Sequence, residues 1–86
     1  MSILIVKHDE NEFKLFGEEI INLELKLNVT PYGKCWKDIG QRLYDLYMVN
    51  NFDNSFNTID VTFHQYNYLY ELSKKSYEDV YKQYTT

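Results

Sequence analysis

The clearest pattern along the chain lies at residues 21–29, where Ile21, Leu23, Leu25, Leu27 and Val29 alternate with Asn22, Glu24, Lys26 and Asn28. Five apolar positions on a period of two predict a strand with one face buried and the other wet. Two shorter strands are predicted before it. Residues 2–7 are apolar and β-branched, and residues 12–16 alternate through Phe13 and Leu15. The links at residues 8–11 and 17–19 are short and polar, which favours an antiparallel meander.

Residues 30–33, Thr-Pro-Tyr-Gly, break the strand pattern, with Pro31 and Gly33 suited to the second and fourth positions of a type I turn. The period then changes. Trp36, Ile39, Gly40, Leu43, Leu46 and Tyr47 fall within about 120° of one another on a helical wheel, which predicts a first helix over residues 34–49. Gly40 sits in the middle of its apolar face. There it costs about 1 kcal/mol relative to Ala, so a neighbouring backbone or ring is expected to press close. Residues 50–57 are rich in Asn, Asp and Ser and predict a loop pinned by Phe52 and Phe56. A second helix is predicted over residues 61–84, capped by Asp60 or Thr62, with Glu71–Lys75 and Glu78–Lys82 in the favourable i,i+4 order.

The fold class expected is therefore α+β: a three-stranded antiparallel β-meander followed by two α-helices packed on one sheet face, β-β-β-α-α. It forms a single domain over residues 1–86, with the sheet in residues 2–29.

Composition narrows the picture. The chain has 44% apolar and 17% aromatic residues, which favours a folded core over disorder. Its one cysteine excludes an intrachain disulfide, and no Cys/His cluster suggests a metal. The net charge of −4 divides as −3 over residues 1–33 and −1 over residues 34–86. Without a basic stripe, ordinary nucleic-acid binding is disfavoured. The four apolar residues at positions 3–6 are too few for a signal or a membrane span, so a cytoplasmic protein with no membrane association is expected. The Asn28-Val29-Thr30 glycosylation match is discarded, because Pro31 follows it and no secretion signal precedes it.

Candidate chemistry is sparse. His8 opens a charged turn and His64 lies at the polar start of helix two. Neither has a nucleophile at a recognisable spacing, so both are expected to be exposed and structural. Cys35 is expected to pack as a small hydrophobe. Asp9 with Glu24-Leu25-Lys26 echoes the D…ExK pattern of metal-dependent nucleases. Glu-x-Lys is, however, common on any half-exposed strand, and the domain is small for such a site. No catalytic residue, cofactor or metal is assigned, and the chain is not expected to be an enzyme.

Six of the nine tyrosines lie in the last 21 residues. Phe63, Tyr66, Leu69, Tyr70, Tyr77, Val80, Tyr81 and Tyr84 share one predicted face, read mainly as the wet half of an aromatic core. Two i,i+4 pairs are left over: Tyr44 with Met48 on helix one, and Tyr68 with Leu72 on helix two. Tyr and Met are enriched at protein interfaces, so these four are the predicted partner-binding residues.

The absence of alanine and the abundance of Lys, Asn, Tyr, Ile and Phe suggest an AT-rich genome. In size, acidity and composition the chain is similar to small phage and mobile-element accessory proteins, some of which inhibit host defence enzymes as anti-CRISPR proteins do. That resemblance implies a non-enzymatic protein that binds and modulates a host protein, with DNA mimicry as one style of doing so. The alternatives are a homo-oligomeric structural or assembly protein, a homodimer among them, and a single-strand nucleic-acid binder that stacks bases on exposed tyrosines.

Overall fold

The computed structural model describes residues 3–50 and 56–85, with the side chains of residues 49, 50 and 56 left aside. The role expected of Phe52 lies outside the described residues. The elements run β1 (Ile3–His8), β2 (Asn11–Phe16), α1 (Glu18–Asn28), α2 (Tyr32–Cys35), α3 (Lys37–Asn50), β3 (Phe56–Asp60), α4 (Phe63–Lys74) and α5 (Tyr77–Thr85).

The α+β class holds, but the sheet is mixed. Its order is β2-β1-β3, with β1 antiparallel to β2 and parallel to β3. The β1–β2 hairpin turns through Asp9, whose φ of 52° is tolerated because Asp can bond its local backbone. Leu4 pairs with Leu15 and Val6 with Phe13 across this hairpin, so these four share the core face. Ile3 and Ile5 lie on the other face and are half-buried.

The expected third strand, residues 21–29, is helix α1. The same residues satisfy a helical period: Ile20, Leu23 and Leu27 are fully buried, while Leu25, which a strand would bury, is 45% exposed. Leu, Glu and Lys are strong helix formers. Glu18 and Glu19 in the first turn and Lys26 in the last complement the helix dipole. Gly17, at φ 55° and ψ −119°, swings the chain from β2 into this helix, a conformation open mainly to glycine. The true third strand is β3, which starts at the end of the segment read as a loop, residues 50–57, and runs on to Asp60. Phe56, Thr58 and Ile59 favour a strand, Asn57 and Asp60 do not, and pairing with β1 along Ile3–Lys7 decides the outcome.

The Thr30–Gly33 turn forms as expected, with Gly33 N–H donating to the Thr30 carbonyl at 3.1 Å. Helix one divides into α2 and α3 at Trp36, and Ile39, Gly40 and Leu43 are buried as its pattern required. Helix two divides at Lys75, whose φ −99° and ψ 151° are extended. Ser76 restarts the helix by accepting from the Asp79 N–H at 3.2 Å. Thr62 caps α4 in a reciprocal box with Gln65, and the Glu78–Lys82 pair forms at 3.2 Å.

The break changes which residues are inside. In α4 the inner positions are Leu69 and Leu72, with Tyr68 beside them, and in α5 the inner position is Val80. The fully buried core is aliphatic, built from residues such as Leu4, Ile20, Leu23, Leu43, Ile59 and Leu69. The expected aromatic core is therefore corrected: the rings pack around an aliphatic centre. Tyr70, Tyr77 and Tyr81 remain 40–48% exposed.

Candidate binding surfaces

The four predicted partner-binding residues do not share one face. Tyr44 and Met48 are on the outer side of α3, 45% and 41% exposed. Leu72 is 3% exposed, in the core beneath α4, where a partner cannot reach it. Tyr68 is half-buried in an aromatic cluster. Its ring meets Tyr32 edge-on at 4.6 Å and Trp36 at 5.5 Å, and Tyr32 stacks on Trp36 at 4.3 Å. His64 closes the cluster edge-on to both Tyr32 and Trp36. The Tyr68 hydroxyl bonds that of Tyr84 at 2.7 Å, which ties α5 to α4. Burial first, and then the Tyr84 hydrogen bond, push the Tyr68 phenol well above its ordinary value of 10.0. These rings pack on one another, so the cluster reads as a structural joint.

Tyr44 belongs to a different feature. α1 packs against α3, and between them runs a groove of about 400 Å³ lined by Glu24 and Asn28 from α1 and by Lys37, Gly40, Gln41 and Tyr44 from α3. Gly40 does not have the close neighbour its position suggested. A Cβ added there meets nothing within 4 Å. Gly33 shows the opposite case: a Cβ there would lie 2.6 Å from the Leu27 carbonyl oxygen, so the close approach of α1 requires glycine. The groove could not be read from the sequence, because its α1 wall was assigned to a strand.

A second cleft lies where α1 meets the α4–α5 break. It has a volume of about 310 Å³ and is bordered by Glu19, Asn22 and Lys26 of α1, with Leu15, Ser76 and Tyr77 opposite. Lys26 is only 7% exposed. Its ammonium donates to the Lys75 carbonyl at 2.9 Å. Burial lowers its pKa from 10.5, and the Glu19 carboxylate partly offsets the shift.

Cys35 is exposed, contrary to the expected packed thiol. It flanks Trp36 at the α2–α3 junction, whose half-buried ring takes the inner position instead. His8 is held rather than free, its Nδ1 2.8 Å from the Val61 carbonyl oxygen and its ring 5.7 Å from Phe63. Glu24 accepts from the Asn28 amide at 2.6 Å on the exterior of α1, and Lys26 lies on the buried side, so they do not converge with Asp9. Among the described residues no group of three His, Cys, Asp or Glu is placed to hold a metal ion. No helix among them is long and apolar enough to cross a membrane.

No protein-family model, curated protein or solved structure matches this chain.

Proposed function

We propose that this protein is a non-enzymatic protein-binding domain, and that the α1–α3 groove with the exposed Tyr44 and Met48 of α3 is its docking surface. The observation that carries this reading is Gly40. It lies inside a 14-residue helix at a cost of about 1 kcal/mol relative to Ala, and among the described residues no atom lies within 4 Å of where its Cβ would stand. A groove left open at that cost is read as the seat of a partner side chain, with the Tyr44 ring for apolar contact and Glu24, Asn28, Lys37 and Gln41 for polar contacts. Tyr44 and Met48 supply a ring and a flexible thioether, the side-chain types that adapt to such contacts. Modulation of a host protein by an accessory protein is the role this surface would serve.

The test is comparative capture from the organism of origin. The Tyr44→Ala/Met48→Ala double variant should keep its thermal stability and lose the partner that the wild type retains. A partner captured equally by both would sink the assignment of this surface. Light scattering adds a second outcome: a dimer abolished by the same substitutions would make the occupant a second copy of the chain.

A further inference from the structure

We propose that the cleft between α1 and the α4–α5 break binds a small zwitterion of the free amino-acid type, with its carboxylate on Lys26 and its ammonium on Glu19. This site is separate from the α1–α3 groove and does not depend on it.

Burying an ammonium is costly unless its donors are used. Lys26 is more than nine-tenths buried, yet one carbonyl, that of Lys75, is the hydrogen-bond partner the structure gives it. Two of its three N–H groups are left for the cleft that it lines. Anchoring to Lys75 fixes the ammonium without neutralising it.

Glu19 lines the same cleft and influences the charge of Lys26, but the two do not form an ion pair. The Phe16 N–H holds one Glu19 oxygen at 3.0 Å, which leaves the second oxygen open. Glu19, Asn22 and Lys26 recur at offsets of three and seven, along one stripe of α1. Both charged groups therefore border the same cleft, each with hydrogen-bonding capacity left for a ligand. A simple anion would meet Lys26 but face Glu19, and a simple amine would meet the reverse. A molecule carrying both charges satisfies both.

The rest of the lining suits such a ligand. Ser76 uses its oxygen as an acceptor for the Asp79 N–H, so its hydroxyl proton is available to a carboxylate. Leu15 and the 46% exposed ring of Tyr77 give an apolar wall for a side chain. At about 310 Å³ the cleft is at the small end of ligand sites, a size that holds an amino acid.

The experiment is an NMR titration of the isotope-labelled full chain with each free amino acid, and with acetate and methylammonium as half-ligands. At least one amino acid should give saturable shifts at Glu19, Asn22, Lys26 and Tyr77, and neither half-ligand should reproduce them. Lys26→Met, which keeps the stem, and Glu19→Gln should each weaken binding about tenfold or more, as expected for losing a charged hydrogen bond. Because Glu19 is exposed, its variant tests the site even if Lys26→Met unfolds the domain. No saturable shift up to about 10 mM ligand would overturn the proposal. So would acetate binding as tightly as the best amino acid, or unchanged binding in Glu19→Gln.

Discussion

Gly40→Ala should make the protein more stable. Glycine in a helix interior costs about 0.8–1.0 kcal/mol relative to alanine, chiefly through backbone entropy. The new methyl group meets no atom of the described residues within 4 Å, so no packing penalty offsets the gain. The predicted change is about +1 kcal/mol, which for a domain of this size corresponds to a rise in Tm of about 4–8 °C. Urea denaturation followed by circular dichroism at 222 nm, a wavelength that reports helix, would measure it; about 1 kcal/mol is well resolved where the m-value is unchanged. Gly33→Ala is the opposing control. Its Cβ would fall 2.6 Å from the Leu27 carbonyl oxygen and 2.8 Å from the Asn28 Cα, backbone atoms that cannot swing aside. It should cost about 1–3 kcal/mol, the usual penalty of overpacking. A destabilised Gly40→Ala would show that the α1–α3 groove is closed in solution, and would remove the physical basis for the docking surface.

Leu72→Ala should cost about 2–5 kcal/mol in the same denaturation experiment, because it empties a core position; a loss under about 0.5 kcal/mol would return Leu72 to the surface. Thr62→Ala should cost about 1 kcal/mol by removing the α4 cap, and an unchanged midpoint would show that the box with Gln65 does not form. Tyr68 should make the protein lose stability in alkali. Its folded-state pKa is raised above 10.0, so its contribution is complete below pH 10 and is lost as pH rises toward the folded value. The slope approaches about 1.4 kcal/mol per pH unit. Lys26 acts in the opposite sense only below 10.5, since its folded value lies under that, so the Tyr68 loss is read above it. Stability measured from pH 10.5 to about pH 12 should therefore fall in the wild type and stay flatter in Tyr68→Phe; parallel profiles would contradict the part-buried Tyr68–Tyr84 pair.

Much of the fold was legible where local pattern and local structure agree. The β1–β2 hairpin, the Thr30–Gly33 turn, the Thr62 cap and the inner face of α3 all rest on short-range interactions. Residues 21–29 misled because a period of two over leucines also leaves Leu23 and Leu27 four apart on a helix. Leu, Glu and Lys favour that helix, and α3, α4 and α5 pack against it. β3 was hidden for the opposite reason: its partner, β1, lies about fifty residues away along the chain, and its five residues, with Asn57 and Asp60 among them, carry too short a pattern of their own. The break at Lys75 then decided the tyrosines. A single helix would place Tyr66 through Tyr84 on one stripe, whereas two helices turn Tyr68 and Leu72 inward and leave Tyr70, Tyr77 and Tyr81 outside. Tyr44 and Met48 kept their predicted exposure because α3 is a continuous helix whose inner face was read correctly. Neither the groove nor the cleft could be read from the sequence, because each needs α1 as a wall.

The most direct test of the central claim is the affinity of the captured partner for Gly40→Leu, measured by calorimetric titration beside the wild type. Leucine is a good helix former and its Cβ meets no described atom within 4 Å, so the variant should fold while its side chain extends into the groove. The account predicts a well-folded variant with binding weakened about tenfold or more, the loss of one well-packed interface side chain. A stable Gly40→Leu variant that binds its partner with wild-type affinity would contradict it.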